Sequence, residues 1–183
     1  MTGRLLGVGL GLLSLAAAPQ AAEYPLDDVE GEALVVPAIS PVKFAALEQH
    51  LGRFSGEFIL EGTLVYRCEV DCDVPIDPRN LAAFVIPNGS QARTLPYWKT
   101  RQSEIRIRFE NGEDLADAVI GATERKALLD GTVADVRKRV SLKVDDFRLG
   151  IDCDSASYSA RFVALAAAPV RVEASEEIDS GCS

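Results

Sequence analysis

The stretch Phe54–Asp73, FSGEFILEGTLVYRCEVDCD, decides how this chain is read. Phe54, Gly56, Phe58, Leu60, Gly62, Leu64, Tyr66, Cys68, Val70 and Cys72 share one parity. Ser55, Glu57, Ile59, Glu61, Thr63, Val65, Arg67, Glu69, Asp71 and Asp73 share the other. The first set is nearly all apolar and the second mostly polar, so the spacing predicts a long, half-buried antiparallel strand. Gly56 and Gly62 are the places for it to bend or bulge. A long bent strand is what a small barrel uses to turn a corner.

Other elements arrange themselves around this one. On the N-terminal side, Glu23–Ile39 reads as an extended lead-in with a short strand at Leu34–Val36. SPVKFAALEQHLG follows, with Ser40 as N-cap, Pro41 at the first helical position, Phe44, Leu47 and Leu51 at helical spacing, and Gly52 as a stop. This predicts a short amphipathic helix. On the C-terminal side, Leu81–Ile86 reads as a buried strand. In SEIRIRF, Ile105, Ile107 and Phe109 face inward while Glu104, Arg106 and Arg108 face outward. A helical stretch broken at Gly121 comes next, its second piece capped by Thr123 and closed by Gly131. Val136–Val144, a turn at Asp145-Asp146, Phe147–Cys153 and a last strand from Tyr158 complete the chain. The predicted class is β-rich α+β. It is an antiparallel barrel or curved sheet of about six strands with two or three short helices, and its element order is that of an OB barrel. A generic sheet with helices on one face is the rival arrangement.

The N-terminus carries Arg4, the apolar run Leu5–Ala18 and a small-residue stretch ending at Ala22. That is the layout of a secretory signal peptide over residues 1–22, and the run falls short of the roughly 18 residues that span a membrane. The expected organisation is then a lead-in over 23–39, one domain over 40–172 and an acidic tail over 173–183, without a membrane span, in the periplasm or outside the cell. Loss of Arg4 leaves 18 bases against 28 acids, a net charge of about −10 where the full chain has −9. Such a charge argues against nucleic acid as partner.

Cys68, Cys72, Cys153 and Cys182 are an even set in a chain read as exported, which points to disulfides. On an extended strand the α-carbons of Cys68 and Cys72 stand about 13 Å apart, beyond the roughly 7 Å that a bridge allows. Cys68 or Cys72 is therefore expected to bond Cys153, with the other taking Cys182. The local pair requires CEVDC to be a turn. A Cys72–Cys153 bridge would bring Asp71 and Asp73 beside Asp152 and Asp154, a set that could hold calcium or simply be solvated.

No catalytic residue is assigned. His50 is the lone histidine and stands without a G-x-S-x-G or H-E-x-x-H motif; structural zinc and CxxC redox patterns are also absent. No cofactor is expected. Asn88-Gly89-Ser90 is an N-glycosylation sequon in a predicted loop. The stretch PYWKTRQSEIRIRF is the candidate ligand surface: Tyr97 and Trp98 for stacking, with Lys99, Arg101, Arg106 and Arg108 as cations. The functional expectation is a non-catalytic binding or accessory module with an unidentified protein or glycan partner. A carboxylate-based hydrolase acting on envelope glycan and a calcium-stabilised structural protein are the alternatives.

Overall fold

A computed structural model describes residues 20–101, 104–152 and 155–171. Most of the signal-like segment, the acidic tail, Cys153, Asp154 and Cys182 lie outside the described residues.

The quoted stretch forms two strands in line, β4 (Leu51–Ser55) and β5 (Phe58–Cys68), separated at Gly56, whose φ is +109°. Only glycine adopts that backbone readily, so the bend falls where the sequence permits it. Phe58, Leu60, Leu64 and Tyr66 are buried on the inner face. Gly62 meets the opposite strand so closely that a Cβ would lie 2.2 Å from the Ile86 carbonyl oxygen. The strand ends at Cys68, sooner than expected.

Both halves of this ribbon pair with one partner, β9 (Asp135–Asp152). β5 runs against Asp135–Val144 and β4 against Arg148–Gly150. The expected turn at Asp145-Asp146 is thus a bend inside a continuous strand, with Asp146 at φ +48°. The bend sits opposite Gly56, and the two strands turn the corner together. β9 returns as β10 (Ser155–Arg171), whose Tyr158–Ala160 runs parallel to β8 (Ile107–Phe109). β8 pairs with β6 (Leu81–Pro87), and β6 with β5. The pairings β5–β6–β8–β10–β9–β5 therefore return to their starting strand. The expected antiparallel barrel or curved sheet of about six strands is corrected in two respects. Among the described residues the strands form sheets of three and seven, and one pair is parallel. The β-rich α+β class holds.

The predicted helix over Ser40–Gly52 is replaced by a hairpin. β3 (Lys43–Glu48) pairs with β4 through a turn at Gln49 and His50, φ +46° and +55°. A helix this short is marginal alone. Pairing with β4, which Phe54 anchors in the core, supplies backbone partners that an isolated helix end lacks. A bulge between Phe44 and Ala46 reconciles the helix-like spacing with a strand. Phe44 then stacks on Tyr24 with centroids 3.8 Å apart and meets Phe54 edge-on.

The lead-in is structured as β1 (Ala22–Pro25) and β2 (Ala33–Val36), with β2 pairing β7 (Tyr97–Trp98) in the three-stranded sheet. The helical stretch breaks at Gly121 as expected, into α2 (Gly112–Val119) and α3 (Ala122–Leu129), preceded by a short α1 (Gly89–Ala92) inside the predicted loop. Gly121 caps α3 in place of Thr123: the Gly121 N–H donates to the Glu124 carboxylate at 2.9 Å. Leu115, Ala116, Val119 and Leu128 turn into the core beside Phe54, Phe58, Phe147 and Tyr158. Burial pushes the Tyr158 phenol up to about 12. No helix among the described residues is long and apolar enough to cross a membrane.

Candidate ligand face on the outer strands

Alternation along SEIRIRF places the site. Ile107 and Phe109 are buried, and Arg106 and Arg108 leave the opposite face exposed. Register carries that face across the sheet: Arg108 opposes Phe84, Phe84 opposes Val65, and Val65 opposes Arg137. Phe84 and Val65 lie outside the main core cluster yet are 3% and 2% exposed. Guanidinium groups cover Phe84. The Arg67 and Arg106 carbons stand 5.3 Å and 5.6 Å from the Phe84 ring centroid. Each cation over a ring is worth on the order of 0.5–1 kcal/mol at an exposed site.

Acids temper this basic surface. Arg106 meets Glu104 at 2.7 Å, Arg137 meets Asp135 at 2.9 Å, and Glu69 holds Arg108 at 2.6 Å and Arg67 at 3.9 Å. Four arginines face three carboxylates here, and Asp152 beside Arg106 and Arg108 makes a fourth, so the two signs are level on this surface of a chain of net charge −9. The exposed Arg106–Glu104 pair contributes about 0–1 kcal/mol, so an incoming anion can exchange with Glu104 at little cost. Beside Arg106 and Arg108 lies a groove of about 350 Å³ that also receives Glu104, Asp152, Ser155 and Ser157. It runs between β8 and the end of the β9–β10 hairpin.

The other predicted surface residues go elsewhere. Trp98 is fully buried and donates its indole N–H to the Gly150 carbonyl oxygen at 3.0 Å, so its ring cannot stack on a ligand. Tyr97 is half-exposed on β7, and Lys99 reaches Glu23 at 2.9 Å. Arg101 is 19% exposed and stands 3.3 Å from the buried Glu32 carboxylate. These four residues belong to the small sheet and its margin, and none lines the groove. The sequence reading missed Arg67, Phe84, Glu69, Ser155 and Ser157. Arg67 was legible, because it occupies the polar parity of the long strand. Phe84 was not, because Leu81–Ile86 is apolar at every position.

The cysteine expectation is overturned. Cys68 bonds Cys72, with α-carbons 5.8 Å apart, because the strand stops at Cys68 and CEVDC folds back as a turn. Asp71 takes φ +45° in that turn. Closing so short a loop is worth about 2 kcal/mol in the chain-entropy model. The double substitution Cys68→Ser, Cys72→Ser is expected to lower unfolding stability by that amount in a denaturant titration, and non-reducing peptide mapping should recover the two cysteines in one linked peptide. The turn also presents Glu69 to Arg67 and Arg108, which ties the bridge to the arginine face.

Of the calcium set, Asp154 lies outside the described residues, and the other three are placed apart. Cys72 does not bridge to Cys153, Asp152 lies in the groove, and Asp71 and Asp73 lie in the disulfide turn. Among the described residues no group of three or more His, Cys, Asp or Glu side chains is placed to hold a metal. His50 sits in the β3–β4 turn with Nε2 2.7 Å from Asp28, beside a cavity of about 650 Å³. Neighbouring donors and cations hold several carboxylates below their ordinary values. Arg79 holds exposed Asp77 down at about 2, Arg161 lowers Asp145, and Lys138 and the Gly121 N–H outweigh burial at Glu124. No protein-family model, curated protein or solved structure matches this chain.

Proposed function

We propose that the protein is an exported, non-catalytic binding module that holds an acidic glycan on the outer face of β5, β6 and β8. The observation that carries this reading is the projection of Arg106 and Arg108 into one groove beside the hydroxyls of Ser155 and Ser157. Guanidinium forks match carboxylate or sulfate, and hydroxyls match the alcohols of a sugar ring. In this reading the bent first strand (β4–β5), β6, β8, a helical segment, β9 and β10, with β8 parallel to β10, are taken as the strands of an OB-like barrel. In such barrels the second and third strands and the loop between the fourth and fifth carry the ligand, often an oligosaccharide. The groove lies at the corresponding place. Acidic net charge sets nucleic acid aside, and the signal-like N-terminus and the disulfide favour export.

The test is a panel of acidic and neutral glycans with a single-stranded oligonucleotide as control. Acidic glycans are expected to bind. Arg106→Gln with Arg108→Gln should weaken that binding at least tenfold while leaving the circular-dichroism spectrum unchanged. Equal affinity of the double variant, or preference for the oligonucleotide, would refute the reading. Turnover of any glycan would favour the hydrolase instead.

A further inference from the structure

Two charges of opposite sign share one cavity on the outer side of β5 and β9 without meeting. In register, Glu61 faces Ser141 and Thr63 faces Arg139. These four residues alternate with the inward Leu60, Leu64 and Leu142, so their side chains stand on the outer face. β10 runs along the far side of β9. Between Ala167, opposite Ser141, and Val170, opposite Arg139, it carries one residue more than its partner. Such a bulge bows a strand, and Pro169 within it has no N–H to restore the ladder. A cavity of about 270 Å³ lies there, with Val140, Ala167, Ala168 and Val170 among its walls. The three residues from β10 are exposed, Val170 at 62%, so this apolar surface has no cover.

Among the residues that line the cavity, Glu61 is the one acid and Arg139 the one base. Diagonal neighbours on paired strands stand about 7–8 Å apart, within reach of long side chains. Yet Arg139 makes no ion pair among the described residues, with Glu61 or any other acid. Glu61 is held from the other side. Its N–H donates to the Gln91 side-chain oxygen at 2.7 Å, and its carboxylate accepts from the Asn88 carboxamide at 3.4 Å.

We propose that this cavity binds a free aliphatic α-amino acid of leucine's size. Its ammonium meets Glu61, its carboxylate takes the Arg139 fork and the hydroxyls of Thr63 and Ser141, and its side chain lies on Ala167, Ala168 and Val170. Mostly apolar walls with a few convergent polar groups are the usual make-up of a small-molecule site, and about 270 Å³ is at the small end of their range. Charge selects the class of ligand. A simple anion meets Glu61 and a simple cation meets Arg139, so a molecule carrying both signs suits the pair best. The cavity shares no lining residue with the groove at Arg106 and Arg108, and the proposal does not depend on that groove.

The experiment is a ligand-observed NMR titration of the full chain with three molecules. They are L-leucine, 3-methylbutylamine, which lacks the carboxylate, and 4-methylpentanoate, which lacks the ammonium. L-leucine is expected to bind saturably at millimolar concentration or below, at least tenfold more tightly than either relative. Arg139→Gln should reduce L-leucine to the affinity of the amine and leave the amine unchanged. Glu61→Gln should reduce it to the affinity of the acid without weakening the acid. Both variants should keep the wild-type circular-dichroism spectrum. Absence of saturable L-leucine binding, equal binding of the three molecules, or wild-type L-leucine affinity in either variant overturns the proposal.

Discussion

Trp98→Ala is expected to lower unfolding stability by about 3–5 kcal/mol, the cost of removing a large buried aromatic. Trp98 is fully enclosed, and its indole joins two parts of the fold. Its backbone pairs with Leu34 in the small sheet, while its side-chain N–H reaches the Gly150 carbonyl oxygen on β9. Truncation leaves a cavity and takes a donor from a buried carbonyl, which adds a penalty of its own. Trp98→Phe should recover most of the packing but not the hydrogen bond, and so fall about 1–2 kcal/mol below wild type. Denaturant titration followed by circular dichroism measures both. A Trp98→Ala midpoint within experimental error of wild type would sink the claim that this residue belongs to the core. The variant therefore cannot serve as a test of ligand binding.

Glu32→Ala is the second large effect, expected at about 3 kcal/mol. The Glu32 carboxylate is buried and accepts from the Ala33 and Thr100 N–H groups at 3.1 Å each and from the Thr100 hydroxyl, and it forms an ion pair with Arg101 at 3.3 Å. Burial alone would raise its pKa, but the bonds from Thr100 and Ala33 and the Arg101 charge outweigh it and hold the group below its ordinary value. A carboxyl depressed in the folded state contributes stability that is complete above the unfolded value. That contribution shrinks as pH falls from there through the folded value, because only the unfolded chain takes up the proton. Asp145, lowered by Arg161, acts in the same direction. Wild type should therefore lose stability on acidification below about pH 5. Glu32→Gln should cost about 1–2 kcal/mol at neutral pH and flatten part of that acid slope. Parallel pH profiles for wild type and Glu32→Gln would contradict the assignment.

Both effects bear on where the functional surface lies. Tyr97, Trp98, Lys99 and Arg101 read as the start of a ligand face because they are aromatic and basic and stand near Arg106 and Arg108 in the chain. In the fold they bind the N-terminal segment to the barrel: Trp98 to Gly150, Lys99 to Glu23, Arg101 to Glu32. The face proposed for the ligand recruits Arg67 and Phe84 from other strands instead.

Alternation is a local property, and within the strands it placed side chains correctly, failing at Val70 beyond the end of β5. Arg106 and Arg108 stand out from Ile107 and Phe109, Leu60 and Leu64 turn in, and Gly56 marks the bend, because a strand's period of two is set by its own backbone. The helical break at Gly121 was legible for a similar reason. Pairing was not legible. Lys43–Leu51 has helical spacing but becomes a hairpin because Phe54 anchors its partner strand. Asp145-Asp146 has turn chemistry but stays inside β9 because β4 and β5 hold both sides of it. The Cys68–Cys72 bridge depended on where β5 stops, and Trp98's role on a carbonyl 52 residues away. By itself the sequence determined which residues share a face. Only the tertiary structure decided which faces meet, because the free energy of a long-range contact is absent until distant segments come together.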